Sequence, residues 1–201
     1  MNRAAGETRR SDGDLVSRAQ RGDGSAFAEL VTKYQDRVYN TCYRMCHNRD
    51  DALDLTQSTF ARALEALPRF EARANFFTWL FRIAVNLVLS HRRAQRRRPM
   101  LALRQFDDEG RPFEPADDRH ADTPSQNVEL AEMRQRLEAA LQQVDDEFRA
   151  AVVLRDIERL DYAAIAEILE VPVGTVKSRI HRGRLMLRAL LEQKETKRGI
   201  G

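Results

Sequence analysis

The sequence predicts an all-α protein of two small helical domains joined by a flexible acidic linker, the second domain ending in a helix-turn-helix. Three observations carry this. Apolar residues recur in steps of three and four through most of the 201 residues, with no strand-length alternation. The segment from Asp107 to Asp122 holds seven acids and two Arg with little periodicity, so it reads as a boundary rather than an element. Near the C-terminus a short apolar helix, a tight turn and a basic helix follow one another, the arrangement that enters a DNA major groove.

The elements follow in chain order. Residues 1–13 form a polar tail, and Asp14 to Gln20 suit a short helix stopped at Arg21-Gly22-Asp23-Gly24. Ser25 is placed to cap a long helix with apolar positions Phe27, Leu30, Val31, Tyr34, Val38, Cys42 and Met45. After a break at Asn48-Arg49-Asp50, a helix from Asp51 to Leu67 is expected to bury Leu53, Thr56, Phe60, Leu64 and Leu67 and to end at Pro68. Its first turns expose Asp51 and Asp54, with Gln57 on the flank.

Phe70 to Phe77 is a short loop with aromatics at both ends, and Asn75 is placed to cap the next helix. That helix buries Phe76, Leu80, Ile83 and Leu87, while Trp79, Arg82, Asn86, Ser90 and Arg93 line up about a quarter turn away. An aromatic, an amide and cations in one stripe suit single-stranded nucleic acid: a π face for bases, donors for base edges, charge for phosphates. A second reading stays open, in which Trp79 closes the core and Arg82 pairs with an acid such as Asp54. The helix ends in Arg92 to Arg98 and Pro99, and the linker spans residues 96–122.

The second domain, residues 123–195, starts with Thr123 as N-cap, Pro124 at N1 and Gln126 at N3. Leu130, Met133, Leu137, Leu141 and Val144 form the first apolar stripe. Asp145 or Asp146 then opens a helix with Phe148, Val152 and Ile157 inward. Asp161 caps the helix of Ile165, Ala166, Ile168 and Leu169, and Pro172 begins the last one. There Val176, Ile180, Gly183 and Leu187 share a buried stripe, with Ser178 and Arg182 opposite, flanked by Lys177 and His181. From Val171 to Leu191 the chain has five Lys or Arg and no acid. An ordinary solvated helix face mixes Glu with Lys to gain pairs one turn apart, so this face reads as DNA-facing.

Net charge is only +3, but the charges are segregated: Ala72 to Phe106 holds eight Arg and no acid, directly before the acidic linker. Such blocks point to nucleic-acid-facing surfaces. Cys42 and Cys46, one turn apart in an apolar pattern, read as core thiols of a reducing cytoplasm. His47 beside them does not complete the four ligands of a structural zinc, so no metal or cofactor is expected. No Gly-rich phosphate loop or metal-spaced cluster suggests an enzyme such as a nuclease. The N-terminus lacks the apolar core of a signal peptide, and no run of about 18 apolar residues suggests a membrane span.

Four motifs stand in order along the chain. They are Gly22-Asp23-x-x-Ala26-Phe27, Asp51-Ala52-x-Asp54-Leu55-x-Gln57-x-x-Phe60, Thr78-Trp79-Leu80-x-Arg82-Ile83-Ala84-x-Asn86 and Pro172-Val173-Gly174-Thr175-Val176-Lys177-Ser178-Arg179. Together they resemble the extracytoplasmic-function class of bacterial sigma-70 factors, over nearly everything from Asp14 to Leu191. The resemblance implies a non-enzymatic promoter-specificity subunit whose partners are core RNA polymerase, promoter DNA and an anti-sigma protein. It implies that the first domain, residues 14–95, binds the polymerase clamp through Asp51, Asp54 and Gln57. The same domain would capture minus-10 bases with Phe70, Asn75, Phe76, Trp79, Arg82 and Asn86. It assigns minus-35 contacts to Arg155, Thr175, Lys177, Ser178, His181 and Arg182, and lays the linker in the RNA exit path. The alternative is an autonomous helix-turn-helix regulator, which has no use for the acid-and-Gln patch or the Trp79/Asn86 stripe.

Overall fold

The computed structural model describes residues 11–71, 75–97 and 124–198, with side chains from 132 to 192 in the last span. Residues 1–10 of the tail, 72–74 of the loop and 98–122 of the linker, the Thr123 cap, and the side chains of Gln126 and Leu130 lie outside these, whereas the tail's last residues open α1 and the linker's first two close α4. All described regular structure is helical.

Helix α1 (Asp12–Gln20) buries Leu15 and Val16. The chain turns through Gly22, whose φ of +93° is one that glycine adopts at little cost. Asp23, not Ser25, then caps α2 (Gly24–Cys46), its carboxylate accepting from the amides of Ser25 and Ala26 at 3.0 and 3.2 Å. Ser25 instead donates its hydroxyl to Asp23, and Arg18 donates to it through Nε and Nη2. These bonds hold the Asp23 carboxyl well below the usual carboxylate range, Ser25 contributing most. Helix α2 buries Ala26, Leu30, Tyr34, Val38, Thr41, Cys42, Met45 and Cys46. It stops at His47, which takes a left-handed conformation at φ +57°.

Asn48 caps α3 (Arg49–Ala66), accepting from the Asp51 amide at 2.9 Å. This helix corrects the sequence reading. It buries Ala52, Leu55, Thr59, Phe60 and Ala63, with Leu67 in the following 3-10 turn (Leu67–Arg69), whereas Leu53 and Leu64 are 49% and 52% exposed. Ala52 and Ala63 are wholly buried, and small residues there let neighbouring backbones approach closely. A reading that favours large apolar residues selects the wrong side of such a helix.

Asn75 caps α4 (Phe76–Arg97), accepting from the Phe77 amide at 2.9 Å. The buried set here is Phe76, Phe77, Thr78, Leu80, Phe81, Ala84, Val85 and Val88, broader than the expected stripe. Ile83 and Leu87 are only partly buried. The cause is that α4 is covered twice, by α2 and α3 on one side and by the second helical unit on the other.

That second unit comprises α5 (Pro124–Leu141), α6 (Asp146–Val152) with a π turn at Val153–Ile157, α7 (Tyr162–Leu169) and α8 (Val173–Arg198). Asp145 takes the N-cap position of α6, and Pro172 stands one residue ahead of α8, its carbonyl accepting from Val176. Asp161 caps α7 through the Ala164 amide at 2.8 Å, as its sequence position predicts. Ala140, Leu141, Val144, Val152, Val153 and Leu187 form a small core, while Met133 and Leu137 stay exposed. Gly183 lets α8 approach α6: a Cβ there would lie 2.6 Å from Val152 Cγ2 and 3.0 Å from the Phe148 carbonyl oxygen.

The two units pack on each other. Ala150, Ala151, Leu154, Ile165, Ile168, Val176 and Ile180 belong to the same apolar cluster as the core of α1–α4. Arg149, 1% exposed, donates to the carbonyls of Leu141, Gln142 and Val144 and across to Met45 of α2 at 2.5 Å. Buried charge is costly unless fully hydrogen-bonded, and here the guanidinium caps carbonyls at two helix ends at once. Asp146 adds its carboxylate to Arg149, Arg92 and Arg96 at 3.2 to 3.3 Å.

Candidate nucleic-acid interface

In α8 the residues singled out from sequence share one solvent-facing side. Lys177, Ser178, His181 and Arg182 are exposed, opposite the buried Val176, Ile180, Gly183 and Leu187. The Ser178 hydroxyl donates to the Thr175 carbonyl at 2.9 Å, and Thr175 itself is half-buried. The cations of the helix divide into two sets. Arg179 donates to Glu147 at 2.6 Å and Arg184 pairs with Asp156, so their acids come from α6 and its π turn, while Arg188 pairs with Glu192 of α8 itself at 2.7 Å. His181 and Arg182 make no hydrogen bond or ion pair among the described residues, and they stay available to a ligand. Arg155, by contrast, is half-buried and donates to the Leu160 carbonyl at 2.6 Å.

On α4, Arg82, Asn86, Ser90 and Arg93 are exposed. Arg82 and Asn86 have no partner among the described residues, so the pair with Asp54 weighed from sequence is not formed. Trp79 is half-buried with its ring centroid 4.8 Å from Phe70 and 5.6 Å from Phe76. Phe70 and Phe76 are themselves buried at 8% and 3% exposure, with Tyr34 beside them. These aromatics therefore close the core and form a floor beneath the polar stripe. Gln20 fixes the end of the floor by donating to the carbonyls of Leu67 and Phe70 at 2.9 and 2.8 Å. Asn75 is exposed at the helix start, its side-chain oxygen engaged in the cap.

On α3, Asp54 and Gln57 are exposed and free of hydrogen bonds and ion pairs among the described residues. Asp51 is not part of that free surface. Its carboxylate meets His91 and Gln95 of α4, both at 3.1 Å. Leu53 and Leu64, which sequence reasoning had placed inside, flank the free pair as exposed apolar side chains. The signal that would have found them is the run of small residues Ala52, Thr59 and Ala63, which marks the buried side by what packs closely rather than by size.

Two further features concern buried polar atoms. Cys42 is a free, wholly buried thiol that burial pushes up to about 12, a core role consistent with its spacing. His47 has both ring nitrogens buried without a hydrogen-bond partner. Burial, then the charges of Arg149 and Arg92, lower it to about 4.

Residues 30–98 match the family model of sigma-70 region 2, and residues 134–187 match that of sigma-70 region 4. The RNA polymerase sigma-H factor of Pseudomonas aeruginosa is 38% identical over 181 residues, covering 88% of this chain and 92% of that one. The chain belongs to the extracytoplasmic-function class of sigma-70 factors. The class member SigW of Bacillus subtilis is 35% identical, over 88% of this chain and 94% of its own length. Among solved structures, CnrH in complex with the cytosolic domain of CnrY matches with a TM-score of 0.65 at 25% identity, covering 90% of this chain and 97% of that one. Region 2 thus contains α3 and α4 with their exposed faces, and region 4 contains the helix-turn-helix of α7 and α8. With a sigma-70 region 2 in the first unit, an autonomous helix-turn-helix regulator is not favoured. No described helix of this sigma factor is long and apolar enough to cross a membrane.

Proposed function

We propose that this sigma factor divides promoter recognition among three exposed faces, with domains at residues 14–95 and 123–195 and a linker at 96–122. Asp54 and Gln57, with Leu53 and Leu64 as apolar anchors, dock on the clamp of core RNA polymerase. Asp51 orients that face from behind through His91 and Gln95. Asn86 and Arg82, above the Phe70–Phe76–Trp79 floor, meet the unstacked bases and phosphates of the minus-10 element. Lys177, Ser178, His181 and Arg182 read the minus-35 element. The observation that carries the reading is the division of arginines on α8: Arg179, Arg184 and Arg188 are tied to acids, while Arg182 faces solvent beside Ser178 and His181.

The two promoter elements are named for positions 25 base pairs apart, roughly 85 Å at ~3.4 Å per step. A compact body of the described size has a radius of gyration of only about 15 Å. The packed units therefore have to part for both elements to be held at once. The 26 residues from 98 to 123 reach up to about 90 Å when extended, enough for that separation. An anti-sigma protein that favours the packed arrangement is the corresponding regulator, by analogy with the CnrY domain bound to CnrH. The working place of the protein is the cytoplasm, where its polymerase is. Run-off transcription with core polymerase and a promoter library tests the whole reading. Specific transcripts are expected only when this protein is added, and their absence overturns it.

A further inference from the structure

Tyr162, the first residue of α7, is not among the residues assigned above, yet two of those residues converge on it. The Arg155 guanidinium carbon lies over its ring, 4.7 Å from the centroid, and Lys177 Nζ lies 5.8 Å from the same centroid. Arg155 reaches the ring from the π turn before α7, and Lys177 from α8 after it. The ring therefore joins the three segments of the helix-turn-helix. A further tie holds Arg155 at its other side, through the Leu160 carbonyl at 2.6 Å. Lys177 has no hydrogen bond or ion pair among the described residues, so the ring is the contact that restrains an otherwise mobile four-carbon stem.

The electrostatics give this arrangement a purpose. The two cations stand no farther apart than the sum of their distances to the centroid, about one Debye length at ~0.1 M salt, so part of their repulsion is unscreened. The negative face of an aromatic ring offsets such repulsion and orients each charge within about 6 Å of its centroid. We infer that Tyr162 is a positioning residue for minus-35 recognition, holding the Arg155 and Lys177 cations together over its ring in the register that promoter phosphates then meet. It acts through the ring and not through its hydroxyl. Preordering two long side chains reduces the entropy lost when DNA binds. The inference rests on the assignment of Lys177 to minus-35 contact in the proposed function.

The test uses holoenzyme formed from core polymerase and the full chain, on a promoter duplex selected with the wild-type protein. Tyr162→Leu should weaken binding about three- to twenty-fold, the range of a cation–π contact. It should also lower the salt-dependence slope of binding by about one phosphate contact. Tyr162→Phe should restore both. Lys177→Ala should weaken binding in the wild-type background and change little in the Tyr162→Leu background, because the two act as one unit. Equal losses for Tyr162→Phe and Tyr162→Leu would overturn the inference in favour of a direct hydroxyl contact. Additive losses, or a Tyr162→Leu that binds as wild type, would overturn it while leaving the minus-35 assignment standing. If Lys177→Ala alone binds as wild type, that assignment itself fails. Thermal melting of each variant separates these outcomes from unfolding.

Discussion

Arg37 of α2 and Glu158 at the end of the π turn are 121 residues apart in sequence and 2.9 Å apart in space. The Thr41 hydroxyl donates to the other carboxylate oxygen at 2.9 Å, and the Arg37 guanidinium lies over the Phe77 ring, 4.3 Å from its centroid. Glu158 is nearly wholly buried in this seam, whereas the Arg37 side chain is 48% exposed. The two partners are therefore unequal, and their removal should have unequal effects.

Arg37→Met leaves a buried carboxylate with one hydroxyl partner and should loosen the packing of the two units by about 2–3 kcal/mol. Glu158→Gln keeps the Thr41 hydrogen bond and frees a half-solvated cation, so it should cost only ~1 kcal/mol. Small-angle scattering of the free protein checks this: the radius of gyration should rise in the order wild type, Glu158→Gln, Arg37→Met. The reverse order would show that the Arg37 charge, not the Glu158 burial, holds the seam.

Leu53→Ala with Leu64→Ala should leave the unfolding midpoint within about 0.5 kcal/mol of wild type, since exposed side chains contribute little to the core. Asp54→Ala and Gln57→Ala should be equally mild. All four changes should reduce retention of core polymerase in a pull-down. A sharp loss of stability without loss of retention would return these residues to a packing role.

His47 has a folded-state pKa lowered from 6.5 to about 4, by burial first and then by Arg149 and Arg92. The unfolded chain thus binds the proton more readily than the native one between these values. Stability is fully present above pH 6.5 and is lost progressively as pH falls toward 4, by as much as ~3 kcal/mol. His47→Asn, a residue that accepts the left-handed backbone, should flatten that part of the urea-midpoint profile whatever its own stability. An unchanged slope would place the acid sensitivity elsewhere.

Asn86→Ala should leave closed-complex formation nearly intact, because the α8 and α3 faces are untouched. Open-complex formation should fall, since unpairing a base costs a few kcal/mol that the amide helps to offset. Permanganate reactivity of thymines near the minus-10 element, measured beside gel shift, separates the two steps. Wild-type reactivity in the variant would exclude Asn86 from base capture.

Much of the molecule was legible without coordinates. The helices, the Asp161 and Asn75 caps, the buried stripe of α8 and its exposed opposite face follow from side-chain periodicity and local hydrogen bonding, which act over one or two turns. The ordered motifs pointed to the family. Periodicity failed on α3, where Ala52 and Ala63 mark the buried side and two leucines face outward. It also mistook the cap of α2, because Asp23 and Ser25 both suit the position and only the carboxylate's bonds to the Ser25 and Ala26 amides decide between them.

The sequence by itself thus determined local form: which segments are helical, and which side of α8 is free of core. The tertiary structure alone decided the roles that depend on a neighbour. Asp51 is drawn from the free α3 face to His91 and Gln95, Trp79 rests on Phe70 and Phe76, and Arg179 and Arg184 are taken by acids of another helix. It also decided that the two units share a core sealed by Arg149, Arg37 and Glu158. The reason is physical: periodicity states that a face is apolar or charged, but the energy of a buried ion pair or a close backbone approach depends on groups far away in the chain.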